Sequence, residues 1–430
     1  MSFMFLPDYI KHSVSGAPGT GNATLGAAVP GFQSLGNSSS PPASGSVVPY
    51  IANDTGNVWE FGYGTLTLSG STWTLVRTQV LEGSSGTGTA VTLSSAAFIS
   101  ITILAADILN RSNKNVIRNP GIDIQQRGTS GSVAAGTAAY TADGWIIAAT
   151  GAAVSWSVVY SVNIAGYALR IACASGLTDV KLMHRVESSI AARLLTPTMG
   201  AQPLCKQAII SNQTGAALTV NLSTGYASAR DNFSTVTADL AASSMQSIAS
   251  AGTGQVARVF VPNTALTNGY QTTLDFGAAL NASSGYVDIS MLDLRVSPGI
   301  ASGPVSSPPP AELRPVMMEL PFCQRYLQTA GAGMFGQSIG PTELEVAEKF
   351  QVQMRAAPTG TVISGGEASF RLSSGSPVDN ISSAPGVANL STNTFALWTQ
   401  VTGFSGMTTN VVATSREFST GVWLLLSAEL

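Results

Sequence analysis

Residues 57–68 read NVWEFGYGTLTL, and the period of this run decides the fold class. Trp59, Phe61 and Tyr63 fall on one side of an extended chain and Glu60, Gly62 and Gly64 on the other, the two-residue alternation of a half-buried strand. The three rings are assigned to packing, as the core of a small sheet. Their other reading is an aromatic platform for the apolar C–H face of a sugar. Ser69-Gly70-Ser71 marks a turn, Thr72 to Val80 resumes with Trp73 and Leu75, and Ala90 to Leu104 sets Ile99, Ile101 and Ile103 against Ser100 and Thr102. Residues 47–104 are therefore expected to form a small antiparallel unit almost without helix.

Upstream, Pro18 to Ser46 is mostly Gly, Ala, Asn, Ser and Pro, and its run Gly36 to Gly45 (GNSSSPPASG) has no period, which predicts a long loop. Downstream, Asn110 to Arg118 is a short polar link and Asn119-Pro120-Gly121 a turn signal. Short alternating runs follow: Trp145 to Ile147, Val154 to Val162, Tyr167 to Ala172, Lys181 to Val186, Gln207 to Ser211, Leu218 to Leu222, Val256 to Val261, Thr272 to Phe276 and Gly285 to Val296. Many short strands separated by Gly, Asn and Ser predict a sandwich or jelly roll. Ser297 to Pro310 (SPGIASGPVSSPPP) reads as a linker, because its prolines and glycines neither pair in a sheet nor continue a helix.

Beyond it, Glu319 to Gln328 (ELPFCQRYLQ) fits a short helix and a strand equally. Phe350, Val352 and Met354 alternate with Gln351, Gln353 and Arg355 and predict a strand ending at Pro358, and Phe370 to Leu372, Thr394 to Val401 and Glu417 to Leu426 continue the pattern. The expected architecture is mainly β and multidomain: a small antiparallel unit over 1–110, a central jelly-roll sandwich over 111–298, a linker over 299–312 and a C-terminal β domain over 313–430. No fixed-period repeat points to a solenoid or propeller.

Composition excludes several functions. Of 430 residues only 10% are charged, against about 25% in ordinary domains, and the net charge is −3. Nucleic-acid binding needs clustered Lys and Arg to displace counterions, and the group Arg111, Lys114, Arg118 is too small to supply it. Two histidines, His12 and His184, leave no His-rich metal site and little room for His-dependent catalysis. Cys173, Cys205 and Cys323, odd in number and widely spaced, argue against a disulfide framework and a thiolate zinc site, and are expected as buried thiols. Met1 to His12 lacks a basic stretch followed by a continuous apolar core, which predicts no secretory signal. Phe98 to Leu109, interrupted by Ser100, Thr102 and Asp107, is too short to cross a bilayer.

Tyr140, Asp143, Trp145, Trp156, Tyr160 and Tyr167 concentrate aromatics around one carboxylate. A glycan site uses such a mixture, with rings for stacking and polar groups for hydroxyls. The candidate glycan-binding residues are Asp143, Trp145, Asn163 and Arg170, with Trp145 and Trp156 also readable as core. Glu343, Glu345 and Glu348, and Asp288 with Asp293, are the carboxylate groupings that could serve acid–base work. Their spacing gives no sign of the facing pair that glycoside hydrolysis requires, and a solvated face is expected. His184, beside Lys181 and Arg185, reads as a surface or satisfied histidine, and Gly62-x-Gly64 as strand flexibility rather than a phosphate loop.

Three sets of residues carry a resemblance. Gly31-Phe32-Gln33-Ser34, Val48-Pro49-Tyr50, Trp59-Glu60-Phe61-Gly62-Tyr63-Gly64-Thr65 and Leu75-Val76-Arg77-Thr78 resemble the N-terminal module of tailed-bacteriophage fibre and spike proteins. Asn115 to Gly128 (NVIRNPGIDIQQRG) with Tyr140-Thr141-Ala142-Asp143-Gly144-Trp145 is similar to the opening of carbohydrate-binding-module-like jelly rolls in such fibres. Pro120-Gly121-Ile122 stands where Gly-x-Phe is usual, and Gly144 where an arginine is common. Glu319 to Tyr326 (ELPFCQRY) with Phe350 to Thr359 (FQVQMRAAPT) resembles the domain that ends many of these proteins.

The resemblance implies a virion protein of a phage or gene transfer agent: a fibre or spike, homotrimeric, joined to other virion proteins through residues 1–110. It would attach to host-surface polysaccharide without catalysis and without membrane insertion or nucleic acid. No cofactor is implied beyond the single structural calcium ion that such jelly rolls often hold. The rivals are a purely architectural virion component and, further off, a capsule depolymerase.

Overall fold

The computed structural model describes residues 10–37, 42, 44–86, 88–102, 115–196, 200–297, 301–306, 308, 310–330, 334–363, 368–372, 378–382, 386–415 and 424–430. Ile103, Leu104, Arg111, Lys114 and parts of the runs Met1 to His12, Gly36 to Gly45, Phe98 to Leu109, Asn110 to Arg118, Ser297 to Pro310 and Glu417 to Leu426 lie outside the described residues. The protein is mainly β and is built from several antiparallel sheets.

The first unit is a closed barrel of β1 (Ile10–Val14), β2 (Ala23–Ala28), β3 (Val47–Asn53), β4 (Trp59–Ser69), β5 (Thr72–Gly83) and β6 (Phe98–Ile101), in the order β1-β2-β5-β4-β3-β6. Alternation along β4 is as expected, but its direction is reversed. Glu60, Gly62, Gly64 and Leu66 face the barrel interior with Tyr50, Leu75 and Ile99, while Phe61 and Tyr63 form a small outer cluster with Val47, Ile51 and Leu81. Closure explains the reversal. A Cβ at position 62 would lie 2.1 Å from the Gln79 carbonyl oxygen, and one at position 64 would lie 2.5 Å from Leu75 Cδ1. The narrow interior therefore takes the glycines and sends the rings outward.

Glu60 is tolerated inside because every face of its carboxylate is occupied: Tyr50 donates to it at 2.6 Å, Arg77 at 3.1 Å and the Val91 amide at 2.8 Å. Arg77 also donates to the carbonyls of Gly19, Gly21 and Val91, tying the connection between β1 and β2 to the barrel wall. The loop expected over Pro18 to Ser46 is corrected in part, because β2 pairs with β1 and β5 inside it. His12 is structural as well, since its Nε2 accepts from the Leu35 amide at 3.0 Å.

The second unit is a two-layer sandwich. Its strands are β7 (Ser130–Val133), β8 (Thr137–Tyr140), β9 (Trp145–Thr150), β10 (Val154–Ser161), β11 (Gly166–Ala172), β12 (Asp179–Val186), the short pair β13 (Leu195–Thr196) and β14 (Gly200–Ala201), β15 (Leu204–Gln213), β16 (Leu218–Ala229), β17 (Asn232–Ile248), β18 (Thr253–Phe260), β19 (Tyr270–Gly277), β20 (Tyr286–Val296) and β21 (Gly303–Pro304). One sheet runs β21-β18-β15-β20-β11-β10-β7 and the other β17-β16-β19-β12-β9-β8. Trp145, Trp156, Leu169, Leu182, Ile210 and Leu274 are among the side chains that meet in the core between them. The linker expectation is corrected in part, because Gly303 and Pro304 pair with Val259 and Arg258. They do so at the sheet edge, where proline's missing N–H costs nothing, and Val305 covers Cys205, Ala257 and Val259.

The chain then forms one helix, Val316–Gln324, followed by β22 (Leu327–Ala330), so the ambiguous segment supplies a helix and the start of a strand. β23 (Phe335–Ser338), β24 (Glu343–Lys349), β25 (Thr359–Val362), β26 (Ala368–Leu372), β27 (Val378–Ser382), β28 (Gly386–Thr392), β29 (Ala396–Thr402), β30 (Val412–Ser415) and β31 (Leu424–Ser427) complete it. They make a sheet β27-β26-β30-β23-β24-β29-β28 and a smaller one β22-β31-β25. The strand expected over Phe350 to Pro358 is absent. Phe350 and Met354 are buried four residues apart, and the amides of Phe350, Met354 and Arg355 donate to Phe395, Thr394 and Arg325, three carbonyls that no single straight ladder would offer.

This last part closes onto the sandwich through buried polar contacts. Glu319 accepts from the Asn119 amide at 2.8 Å and from Arg314 at 2.6 Å. Tyr326 donates to Glu187 at 2.7 Å and stacks under the Arg118 guanidinium, which bonds Glu429 at 2.9 Å.

Candidate functional site

The four expected glycan residues separate into two places. Asp143 and Trp145 lie inside, 1% and 0% exposed. Gln126 occupies the Asp143 carboxylate with its amide at 2.7 Å and its side-chain Nε2 at 3.1 Å, and burial pushes the Asp143 pKa up. Trp145 donates to the Asn119 carbonyl at 3.1 Å, with the His184 ring 4.8 Å away and Lys206 Nζ 5.5 Å from its own centroid. Neither offers a surface to a sugar on this chain. They organise the core beneath the turn at 119–128.

His184 is likewise buried rather than at the surface, with Nε2 accepting from the Arg118 amide at 3.3 Å. Burial first, then the charges of Arg118 and Lys206, holds its pKa well below the usual imidazole value. Of the three thiols, Cys205 and Cys323 are buried and Cys173 is half-buried. Burial pushes Cys205 up to about 12.

Asn163 and Arg170 are brought together on one hairpin, β10–β11, at the surface. Register places Arg170 opposite Asp288, and Asp288 opposite Ser211, while Ala172, Tyr286 and Gln213 form the next row. Arg170 donates to both oxygens of Asp288, at 2.7 and 2.9 Å, and its guanidinium lies 3.6 Å from the Tyr286 ring centroid. This bidentate pair fixes the guanidinium plane while leaving the arginine side chain 31% exposed. Ser211 Oγ accepts from Asn163 at 3.1 Å and Gln213 at 3.3 Å. At the hairpin end Tyr160 and Tyr167 pair edge to face at 6.0 Å, 63% and 45% exposed, beside Val162 at 81%. Because Leu169 and Ile171 turn into the core, alternation puts Tyr167 on their face of the sheet and Arg170 on the other. The held polar groups therefore share the outer face with the Tyr286 ring, while the two uncovered rings lie on the opposite side of the hairpin.

Asp288, Tyr286, Ser211 and Gln213 escape a reading by local spacing because they come from strands far away in sequence. The only sequence signal is their position on the two strands that end beside the hairpin. The acidic groupings do not face each other across a cleft, and the solvated face expected for them is corrected for Asp288 and Asp293, which are buried and held by partners. Asp288 is taken by Arg170, and Asp293 accepts from Gln207, the Glu312 amide and Arg295. Among the described residues no three His, Cys, Asp or Glu side chains come together to hold a metal ion. No helix among the described residues is long and apolar enough to cross a membrane.

No protein-family model matches the chain, and no curated protein matches it. Solved structures match parts of it. The enzymatically active domain of bacteriophage CBA120 tailspike protein 4 aligns at 12% identity and TM-score 0.28, over 43% of this chain and 22% of that one. The CBM22-2 xylan-binding domain from Paenibacillus barcinonensis aligns at 9% identity and TM-score 0.26, over 42% of this chain and 98% of that one. A structure of carbohydrate-binding modules from the β-sandwich superfamily aligns at 11% identity and TM-score 0.27, over 68% and 99%. The chain thus spans less than a third of the tailspike domain's length.

Proposed function

We propose that the protein is a fibre or spike component of a phage-like particle that binds host-surface polysaccharide without cleaving it. The observation that carries this reading is the surface of hairpin β10–β11 and its neighbours. On the outer face the half-buried Tyr286 ring beside Arg170 can stack on a sugar C–H face, and the amides of Asn163 and Gln213 and the guanidinium of Arg170 can meet hydroxyls in fixed directions, while Tyr160 and Tyr167 offer further stacking on the other side of the hairpin. A surface poor in charge supports the same reading, because recognition by stacking and neutral hydrogen bonds survives salt that screens ionic contacts. No step in this function needs a cofactor.

The motif resemblance of residues 31–78 supports attachment to other virion proteins through the barrel. A homotrimer belongs to the same reading. Leu313, Val316, Met317 and Phe322 are 42%, 50%, 81% and 41% exposed, and a second copy of the chain would cover them. Light scattering of the purified chain is expected to give the mass of three chains, and a monomer mass would overturn the assembly.

The site is tested by Asn163→Ala and Tyr167→Ala, which remove exposed groups and leave the buried Asp288 paired. Each is expected to weaken binding of the full chain to host polysaccharide by roughly tenfold at unchanged melting temperature. Undiminished binding by both variants contradicts this site, and release of reducing ends contradicts the non-catalytic reading.

A further inference from the structure

A second surface of the same chemistry lies on the C-terminal sheet. Along β24 and β29 the side chains of Leu344, Val346, Leu397 and Val401 turn into the core, so the alternating residues between them face outward. Register then sets two rows side by side. Phe335, Ala347 and Trp398 lie opposite one another across β23, β24 and β29, and Gln337, Glu345 and Gln400 form the next outward row. Val412 on β30 stands opposite Gln337.

The rows make an amphipathic cleft. Two strand spacings put the Phe335 and Trp398 backbones roughly 10 Å apart, and the methyl group of Ala347 forms the floor between the two rings. Phe335 is 66% exposed, Val412 is 58% exposed and Trp398 is half-buried. The cleft measures ≈ 300 Å³, at the lower end of small-ligand sites. Gly336, opposite Val346, admits no side chain, because a Cβ there would lie 1.8 Å from the Glu345 carbonyl oxygen. The missing side chain lets β23 lie tight against β24 beneath the aromatic wall. Among the described residues no protein partner engages the Glu345 carboxylate or the Gln337 amide.

From this geometry we infer that the cleft of Phe335, Trp398, Glu345 and Gln337 is a second saccharide-binding site, for neutral hexose chains. Paired aromatic walls suit the two C–H faces of a pyranose ring. A row of amide and carboxylate beside them suits its hydroxyls, with Glu345 accepting and Gln337 both donating and accepting. The carboxylate also sets the class of sugar, because it repels uronate and sulfate groups at hydrogen-bond range while accepting from a neutral hydroxyl. The inference rests on the polysaccharide reading above and extends it: two sites on one chain raise avidity by ~10² to 10⁴ when one polymer engages both.

The test uses the full chain and titrates it with dextran, mannan and galactan oligosaccharides as neutral probes, and with alginate oligosaccharides as the uronate probe. At least one neutral probe is expected to bind, with Trp398→Ala weakening it roughly tenfold, Trp398→Phe retaining most of it, and alginate binding no better to the wild type than to Trp398→Ala. Glu345→Gln is expected to leave neutral binding within a few-fold and to improve alginate binding. Asn163→Ala and Tyr167→Ala leave this site intact, so the two claims separate. Neutral binding unaffected by Trp398→Ala but lost in Tyr167→Ala overturns the second site and keeps the first. The absence of any neutral binding overturns the second site too, and host-polysaccharide binding lost only in Trp398→Ala overturns the first. Matching melting temperatures of wild type and Trp398→Ala exclude misfolding as the cause, and retained binding in Trp398→Phe shows that the ring is what matters.

Discussion

Lys206 shows what one residue can cost this fold. It projects from β15 toward Trp145, is 1% exposed, and its Nζ has no hydrogen-bond partner among the described residues. Burial lowers its pKa from 10.5 to about 7, against smaller upward effects from Asp293 and Cys205. The sign of the stability effect follows. Between about pH 7 and pH 10.5 the unfolded lysine holds a proton that the folded one has lost, so stability rises with pH across that window. Below it both states are protonated and the full penalty remains, up to about 5 kcal/mol by linkage. Lys206→Met is therefore expected to stabilise the protein at pH 7 and flatten this part of its pH profile, as denaturant unfolding from pH 6 to 11 would show. An unchanged slope would mean that Lys206 is solvated. The local sequence around residue 206 gives no sign of this, because a lysine in an alternating run reads as facing water.

At the scale of elements, most strands with strong alternation were legible, and the run Phe350 to Pro358 was the exception, since its amides pair with three separate carbonyls. β20 (Tyr286–Val296) begins one residue inside its alternating run and ends with it, and β10, β11 and β12 are each found within two residues of their expected limits. What alternation leaves open is which face turns inward. In β4 that choice is made by barrel closure, since glycine is what fits against Gln79 and Leu75. Gly62→Ala is expected to destabilise the barrel by about 3 kcal/mol through overpacking, read as a lower denaturant midpoint with the sandwich unaffected. A neutral effect would mean that the strands separate at little cost.

β17 was missed for another reason. Among the described residues it pairs only with β16, through four register shifts, and is mostly exposed, so its small polar residues carry no period. The helix Val316–Gln324 escapes pattern reading because it buries only Glu319 and Cys323. It is held by a carboxylate rather than an apolar stripe. Of the proposed glycan surface, hairpin β10–β11 carries Asn163 and Arg170, which local sequence picks out, whereas their partners Asp288 and Ser211 arrive only through sheet pairing.

At the scale of the whole molecule, the sandwich and the last part of the chain are clasped at both ends of the C-terminal segment. Glu319 and Tyr326 hold one end, and Glu429 with Arg118 and Arg127 holds the other. A polymer bound at both surfaces would thus meet one body rather than two tethered ones, which favours the gain in avidity that attachment needs. The central claim is that this chain grips host polysaccharide. Its most direct test is saturation binding of the purified full chain to intact host cells and to the same cells stripped of surface polysaccharide. Saturable binding that disappears on stripping is the predicted result. Equal binding to both, or none to either, would contradict the account and leave the architectural role.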